Sequence, residues 1–164
     1  MSFCENIKEE IQKADCRNKN CSLAFISGFA AFTLSVEDEK AAFLADGEEI
    51  GKKMSYLMKK QFSIGDGSLS RAYVGRGGKC YKLSYEKEET KKILSALSDK
   101  NEGSEDGFFV DSERFSTTDE MRHFVMGAFL GGGFAADPYK IYHLEFVAKR
   151  ERALDELGYI FSEF

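Results

Sequence analysis

Apolar residues recur every four positions at Phe3, Ile7 and Ile11, which predicts an amphipathic helix from Ser2 to about Ala14. Ser2 and Glu5 have the spacing of a capping box at its start. Cys21 to Thr33 is apolar nearly all round, the pattern of a buried helix. Lys40 to Asp46 reads as a strand. Glu48 to Phe62 reads as a helix with Ile50, Met54, Leu57 and Met58 on its inner face. After a loop at Ser63–Ser68, Leu69 to Tyr85 predicts a β-hairpin turning at Gly77-Gly78. That register pairs Val74 with Tyr81 and Ala72 with Leu83, and it places Tyr73, Lys82, Arg71 and Ser84 on the opposite face. A helix follows from Glu88 to Leu97. Asp99 to Asp111 is polar and glycine-rich, as a linker would be. A second apolar helix begins near Thr118, where Thr117 and Glu120 repeat the capping spacing. The only proline, Pro138, stands in the turn after it.

The pattern restarts after the linker. Gly28 corresponds to Gly127; one inserted residue then carries Leu44 to Leu144, Met54 to Leu154 and Leu57 to Leu157. Each copy runs helix, strand, helix. The expected organisation is an N-terminal helix plus first repeat over 1–98, a linker over 99–116, and a second repeat over 117–164 that stops short of its own hairpin and last helix.

A chain of 164 residues with 15 Phe can build one core. No apolar run reaches membrane-spanning length and the first residues are charged, so the expectation is a soluble cytoplasmic protein without a membrane partner. Cys4, Cys16, Cys21 and Cys80 form no CxxC pair and lie far from both histidines in sequence, which argues for reduced thiols and no metal or other cofactor. The net charge of −5 argues against a general nucleic-acid coat but leaves room for a local basic face.

Val125 to Gly133 (VMGAFLGGG) is similar to a LAGLIDADG helix without its acidic residues, and Ile26 to Leu34 (ISGFAAFTL) is a fainter copy. With the segment Met121 to Phe146 (MRHFVMGAFLGGGFAADPYKIYHLEF), these features resemble the WhiA family of bacterial sporulation and cell-division regulators. The resemblance implies an α/β fold like the LAGLIDADG homing endonucleases, with two pseudo-repeats, the second incomplete. It also implies a DNA-binding helix-turn-helix as the family's main reader, and no segment of this chain reads as one.

The resemblance places two motif helices side by side, with Gly28 and Ala31 facing Gly127 and Gly131. A flexible glycine turn at Gly131–Gly133 is the competing reading of that end. Nuclease chemistry in such a fold needs a carboxylate at the foot of each helix to hold a divalent metal. Those positions hold Thr33 and Gly132, and Asp137 reads as a turn residue before Pro138. No catalytic residue is assigned. The candidate DNA contacts are Arg71, Tyr73, Arg76, Lys79 and Lys82 of the hairpin, against the alternative of an ordinary charged face. Gly75 to Lys79 lacks phosphate-loop spacing and reads as a turn. His143 and Glu145 point the same way along a strand, as solvent-facing pairs do. Glu102, Glu105 and Asp106 read as a solvated acidic loop. The leading expectation is a catalytically inactive scaffold within a WhiA-like regulator that touches DNA weakly. A protein-partner module without DNA affinity is second, and a metal-dependent endonuclease third.

Overall fold

A computed structural model describes residues 1–74, 78–98 and 111–163. Helix α1 (Phe3–Gln12) opens on the expected capping box: the Ser2 hydroxyl accepts from the Glu5 N–H, and the Glu5 carboxylate accepts from the Ser2 N–H. Helix α2 (Lys19–Thr33) is capped by Asn18, whose side chain accepts from the Asn20 and Cys21 N–H groups. Every residue from Ala24 to Thr33 is buried, as its all-round apolar sequence requires. Helices α3 (Glu48–Phe62) and α4 (Lys87–Leu97) bury one stripe each, with Ile50, Met54, Leu57 and Met58 on α3 and Ile93 and Leu97 on α4. Helix α5 (Thr118–Gly132) begins with the Thr117 hydroxyl accepting from the Glu120 N–H.

The central packing unit is α2 against α5. A side chain built on Gly28 would stand 2.0 Å from the Phe124 carbonyl oxygen, and one on Gly127 would stand 1.9 Å from the Phe25 carbonyl oxygen. The two contacts mirror each other, since Phe25 precedes Phe124 by the same 99 residues that separate Gly28 from Gly127. Only glycine allows this backbone approach, at a cost of about 1 kcal/mol per residue in helix propensity.

Strands β1 (Leu34–Glu37), β2 (Lys40–Ala45), β3 (Ser68–Val74) and β4 (Gly78–Ser84) form an antiparallel sheet in the order β1-β2-β4-β3. The short strand β1 escapes the sequence reading. It turns into β2 through Asp38 and Glu39, both at positive φ (52° and 62°), a turn usually signalled by Asn-Gly. The hairpin register differs from expectation. Val74 pairs with Gly78, Arg71 with Tyr81 and Leu69 with Leu83. An odd shift of three residues reverses the faces, so Arg71, Tyr73 and Lys79 point to one side while Lys82 and Ser84 point to the other. Burial is the cause: Leu34, Phe43, Leu83 and Leu69 line up across all four strands beneath the helices. The Thr90 hydroxyl, on α4, accepts from the Ala41 N–H and ties that helix to the sheet.

In the second half, β5 (Gly133–Ala135) pairs antiparallel with β6 (Leu144–Phe146), and α6 (Glu151–Ser162) follows. The expected correspondence needs correction. Phe146 sits opposite Gly133 as Phe43 sits opposite Leu34, so the offset between halves grows from 99 to 103 residues across the 136–143 loop. The buried residues of α6, Ala153, Leu157 and Ile160, then match Ile50, Met54 and Leu57. Leu144 and Leu154, which the sequence pattern matches to Leu44 and Met54, are 62% and 42% exposed. Of the stretch expected as a linker, 99–110 lies outside the described residues. Ser112–Arg114 forms a 3-10 turn, with Phe115 buried against Phe124. Ser112 donates from its N–H and its hydroxyl to the Glu156 carboxylate on α6.

Gly28→Ala or Gly127→Ala is expected to cost about 3 kcal/mol or more, because a backbone carbonyl of the facing helix must move. Gly158→Ala, in α6 with open space around it, is expected to raise stability by up to about 1 kcal/mol. Chemical denaturation of the three variants checks both. Burial holds the Glu156 carboxyl above its ordinary range, against the opposing Ser112 hydrogen bonds. A raised carboxyl contributes stability while it is protonated, at and below the ordinary glutamate range, and that contribution is lost as pH rises through the raised value. Glu156→Gln is therefore expected to gain on the native protein between pH 4 and pH 7.5 (values near the ~4.3 reference and well above it). Parallel thermal melts would show it.

Candidate functional site at the motif-helix feet and the sheet face

Both motif helices pass directly into strands at their C-terminal ends, α2 into β1 and α5 into β5. Gly133 caps α5 in an extended conformation (φ −86°, ψ 147°), so the triple glycine continues the chain into the sheet. Gly131 packs against Thr33 and Phe32: its absent side chain would stand 2.9 Å from Thr33 Cγ2. Ala31 is buried. At the two feet, the Thr33 hydroxyl donates to the Phe29 carbonyl at 2.7 Å and is buried. A side chain on Gly132 would lie 2.4 Å from the Val147 carbonyl oxygen and 2.6 Å from the Phe32 ring. One foot therefore offers a committed hydroxyl and the other has no room for a ligand.

A cleft of about 710 Å³ opens beside Gly131–Gly133, between α1 and the start of α3. Its charged groups are Lys8, Glu5 and Asp46. Lys8 pairs with Asp46 and lies 5.9 Å from the centre of the Phe129 ring, while Glu5 is held by Ser2. The nearby carboxylates are thus engaged with a cation and a helix cap. Among the described residues, no group of three or more His, Cys, Asp or Glu side chains is arranged to hold a metal ion. The divalent metal of a homing endonuclease does not fit these residues. Sequence reasoning missed the Lys8–Asp46 pair, whose partners are 38 residues apart and meet only through the packing of α1.

The basic hairpin residues do not form one patch. Arg71, Tyr73 and Lys79 are exposed on the side that carries Leu69 and Leu83, beyond the part the helices cover. Lys82 lies on the open face with Ser35, Ala42, Leu44, Ser70 and Ser84. Arg76 lies outside the described residues, as does the acidic group Glu102, Glu105 and Asp106. Lys40 shares the open face and pairs with Glu86 at 3.3 Å. The His143 ring meets Glu145 at 3.0 Å, both half-exposed at the surface. Asp137 acts as a turn residue, its carboxylate accepting from the Tyr139 N–H. The four cysteines are free thiols. No described helix is long and apolar enough to cross a membrane.

Residues 121–164 match the family described as the WhiA LAGLIDADG-like domain. The solved N-terminal LAGLIDADG domain of DUF199/WhiA superposes with a TM-score of 0.72 at 20% identity, covering 99% of this chain and 74% of that one. This chain has the WhiA LAGLIDADG-like fold. Full-length DUF199/WhiA from Thermatoga maritima gives a TM-score of 0.68 at 19% identity, over 100% of this chain and 51% of that one. Among curated proteins, the chain is similar to the probable cell division protein WhiA of Lachnospira eligens, with 27% identity over 96% of this chain and 52% of the relative. The protein of the same name from Clostridium acetobutylicum is 29% identical over 92% of this chain and 51% of its own length. The chain spans about half the length of these WhiA relatives.

Placing an acid at the foot of α5 is not expected to create a metal site. Gly132→Asp should destabilise the fold by about 2 kcal/mol or more through collision with Val147 and Phe32. Titration calorimetry with manganese should show no stoichiometric binding. Stoichiometric binding with an unchanged melting temperature would contradict this account of the site.

Proposed function

We propose that this chain is the catalytically inactive, LAGLIDADG-like part of a WhiA-like DNA-binding regulator of transcription, sporulation and cell division, acting in the cytoplasm. The observation that carries the reading is the pair of helix feet: a buried hydroxyl already bonded at Thr33 and a sterically closed Gly132. The fold is kept while the metal-ligand positions are lost, which suits a scaffold that positions other parts of the protein. DNA affinity is weak and falls to the sheet. Lys40 and Lys82 on the small-residue open face and Arg71 and Lys79 at the hairpin end supply phosphate contacts, with Tyr73 (72% exposed) beside them, and Arg76 joins the set from the sequence alone. The main reader is the helix-turn-helix that the resemblance implies.

A second reading, docking of a protein partner, is favoured by one feature. Phe134, Ile141, Tyr142, Leu144 and Val147 are all exposed around the β5–β6 pair, at 46–90%.

Duplex binding by fluorescence anisotropy separates the readings. The proposal expects weak binding that falls steeply with salt and is lost when Arg71, Lys79 and Lys82 are reversed to Glu. It also expects a supercoiled plasmid to remain uncut with magnesium or manganese. Salt-insensitive binding, or no binding at low salt, would remove the DNA role from this chain. Plasmid cleavage would overturn the non-catalytic reading.

A further inference from the structure

A groove of about 750 Å³ runs between the α1–α2 loop and the outer face of α3, on the far side of the helices from the open sheet face. Its lining carries five cations, Arg17, Lys19, Lys52, Lys53 and Lys60, against two carboxylates, Asp15 and Glu49. This is a local positive excess on a chain of net charge −5. Lys52, Tyr56 and Lys60 follow one another at four-residue spacing and form one stripe along α3.

The cations differ in how they are satisfied. Arg17 forms a paired contact with Asp15, and Lys52 reaches Glu48 and Glu49. Lys19 and Lys60 have no carboxylate partner among the described residues. Lys60 lies 5.3 Å from the centre of the Tyr56 ring, which is 57% exposed. Lys53 is half-buried at the floor. Its ammonium donates to the Gln12 and Ala14 carbonyls and stands 5.4 Å from the Phe25 ring centre. No carboxylate comes within ion-pair distance of it among the described residues. Burial pulls its pKa below the ordinary lysine range, while Cys16 and Asp15 push it back. The floor therefore holds a fixed, partly desolvated positive charge that an incoming anion would compensate.

We propose that this groove binds a nucleotide, with its phosphates against Lys19, Lys60 and the Lys53 charge and its base against the exposed Tyr56 ring. The volume suits a ligand of that size. An aromatic ring beside a cation is the pairing that recognises a base with phosphate attached. Asp15 and Arg17 form the adjustable rim: Arg17 holds the Asp15 carboxyl down to about 2, so the pair stays ionised and Arg17 can exchange its carboxylate for a phosphate oxygen. The loop that carries them is anchored to α5, where the His123 ring bridges the Asp119 and Asp15 carbonyls at 2.6 and 2.9 Å.

The test uses the whole chain and a fluorescent trinitrophenyl-ATP probe, displaced by ATP or by inorganic tripolyphosphate. The expected result is saturable binding that weakens about tenfold or more in Lys19→Glu/Lys60→Glu. The same binding should be unchanged in Lys82→Glu on the sheet face, which separates this site from the DNA reading above. Tyr56→Ala should weaken displacement by ATP and leave displacement by tripolyphosphate alone. All substituted residues are exposed, and melting curves confirm that each variant is folded. Three results would overturn the proposal. One is no saturation up to about 1 mM probe, or equal binding by the double variant. Another is equal loss of ATP and tripolyphosphate displacement in Tyr56→Ala. The third is duplex binding abolished by the double variant without any displacement by ATP.

Discussion

The rest of the molecule depends on one contact, the meeting of α2 and α5 backbone to backbone at Gly28 and Gly127. Each glycine lies against a carbonyl of the facing helix, and each contact is the image of the other. Two glycines in helix interiors cost about 2 kcal/mol in propensity. That cost is offset by the dense packing of Phe25, Phe29 and Phe124, all fully buried. Once the helices are locked in this way, their C-terminal ends emerge side by side, with Gly131 against Thr33 and Gly132 against Phe32.

This arrangement separates the core contact from the helix feet. The glycine contact lies a turn or more before the helix ends, so the residues at the feet can change without loosening the core. Thr33 turns its hydroxyl back onto its own helix, and Gly132 lets the Phe32 ring and the Val147 carbonyl close in. The space where ligands would converge is filled by packing. Lys8 of α1 adds a positive charge beside that position and consumes Asp46.

The two halves are related by the helix pair but differ beyond it. In the first half, a two-residue turn joins β1 and β2, and β4 covers the next sheet edge. In the second, the longer 136–143 loop separates β5 from β6, and Tyr139 and Tyr142 stand almost wholly in solvent. The Phe146 ring still packs against Phe32, Phe129 and Phe161, so the pair is anchored from its helix side while its outer apolar residues stay uncovered. Charge is distributed unevenly too: the loop before α2 and the outer stripe of α3 gather five cations, whereas the open sheet face carries Lys40 and Lys82.

Helix positions were largely legible in the sequence because local signals define them. The four-residue spacing of Phe3, Ile7 and Ile11, the Ser2–Glu5 box and the Thr117 cap are contained within a turn or two of chain. The glycine pair is legible through the resemblance to LAGLIDADG helices, which implies their close approach, and not through composition or periodicity. Strand β1 was not legible, since Asp38-Glu39 adopts positive φ without the residues that advertise it. The hairpin register was not legible either. It is decided by Leu34, Phe43, Leu83 and Leu69 meeting across four strands, and a shift of three residues moved Arg71 and Tyr73 to the face opposite Lys82. The inserted residues in the second half, the Lys8–Asp46 pair and the cationic groove likewise arise from residues distant in the chain. Local chemistry and periodicity determine which segments become helices; which side chains share a face, a cleft or a charge is set by burial, and burial exists only once the chain has folded.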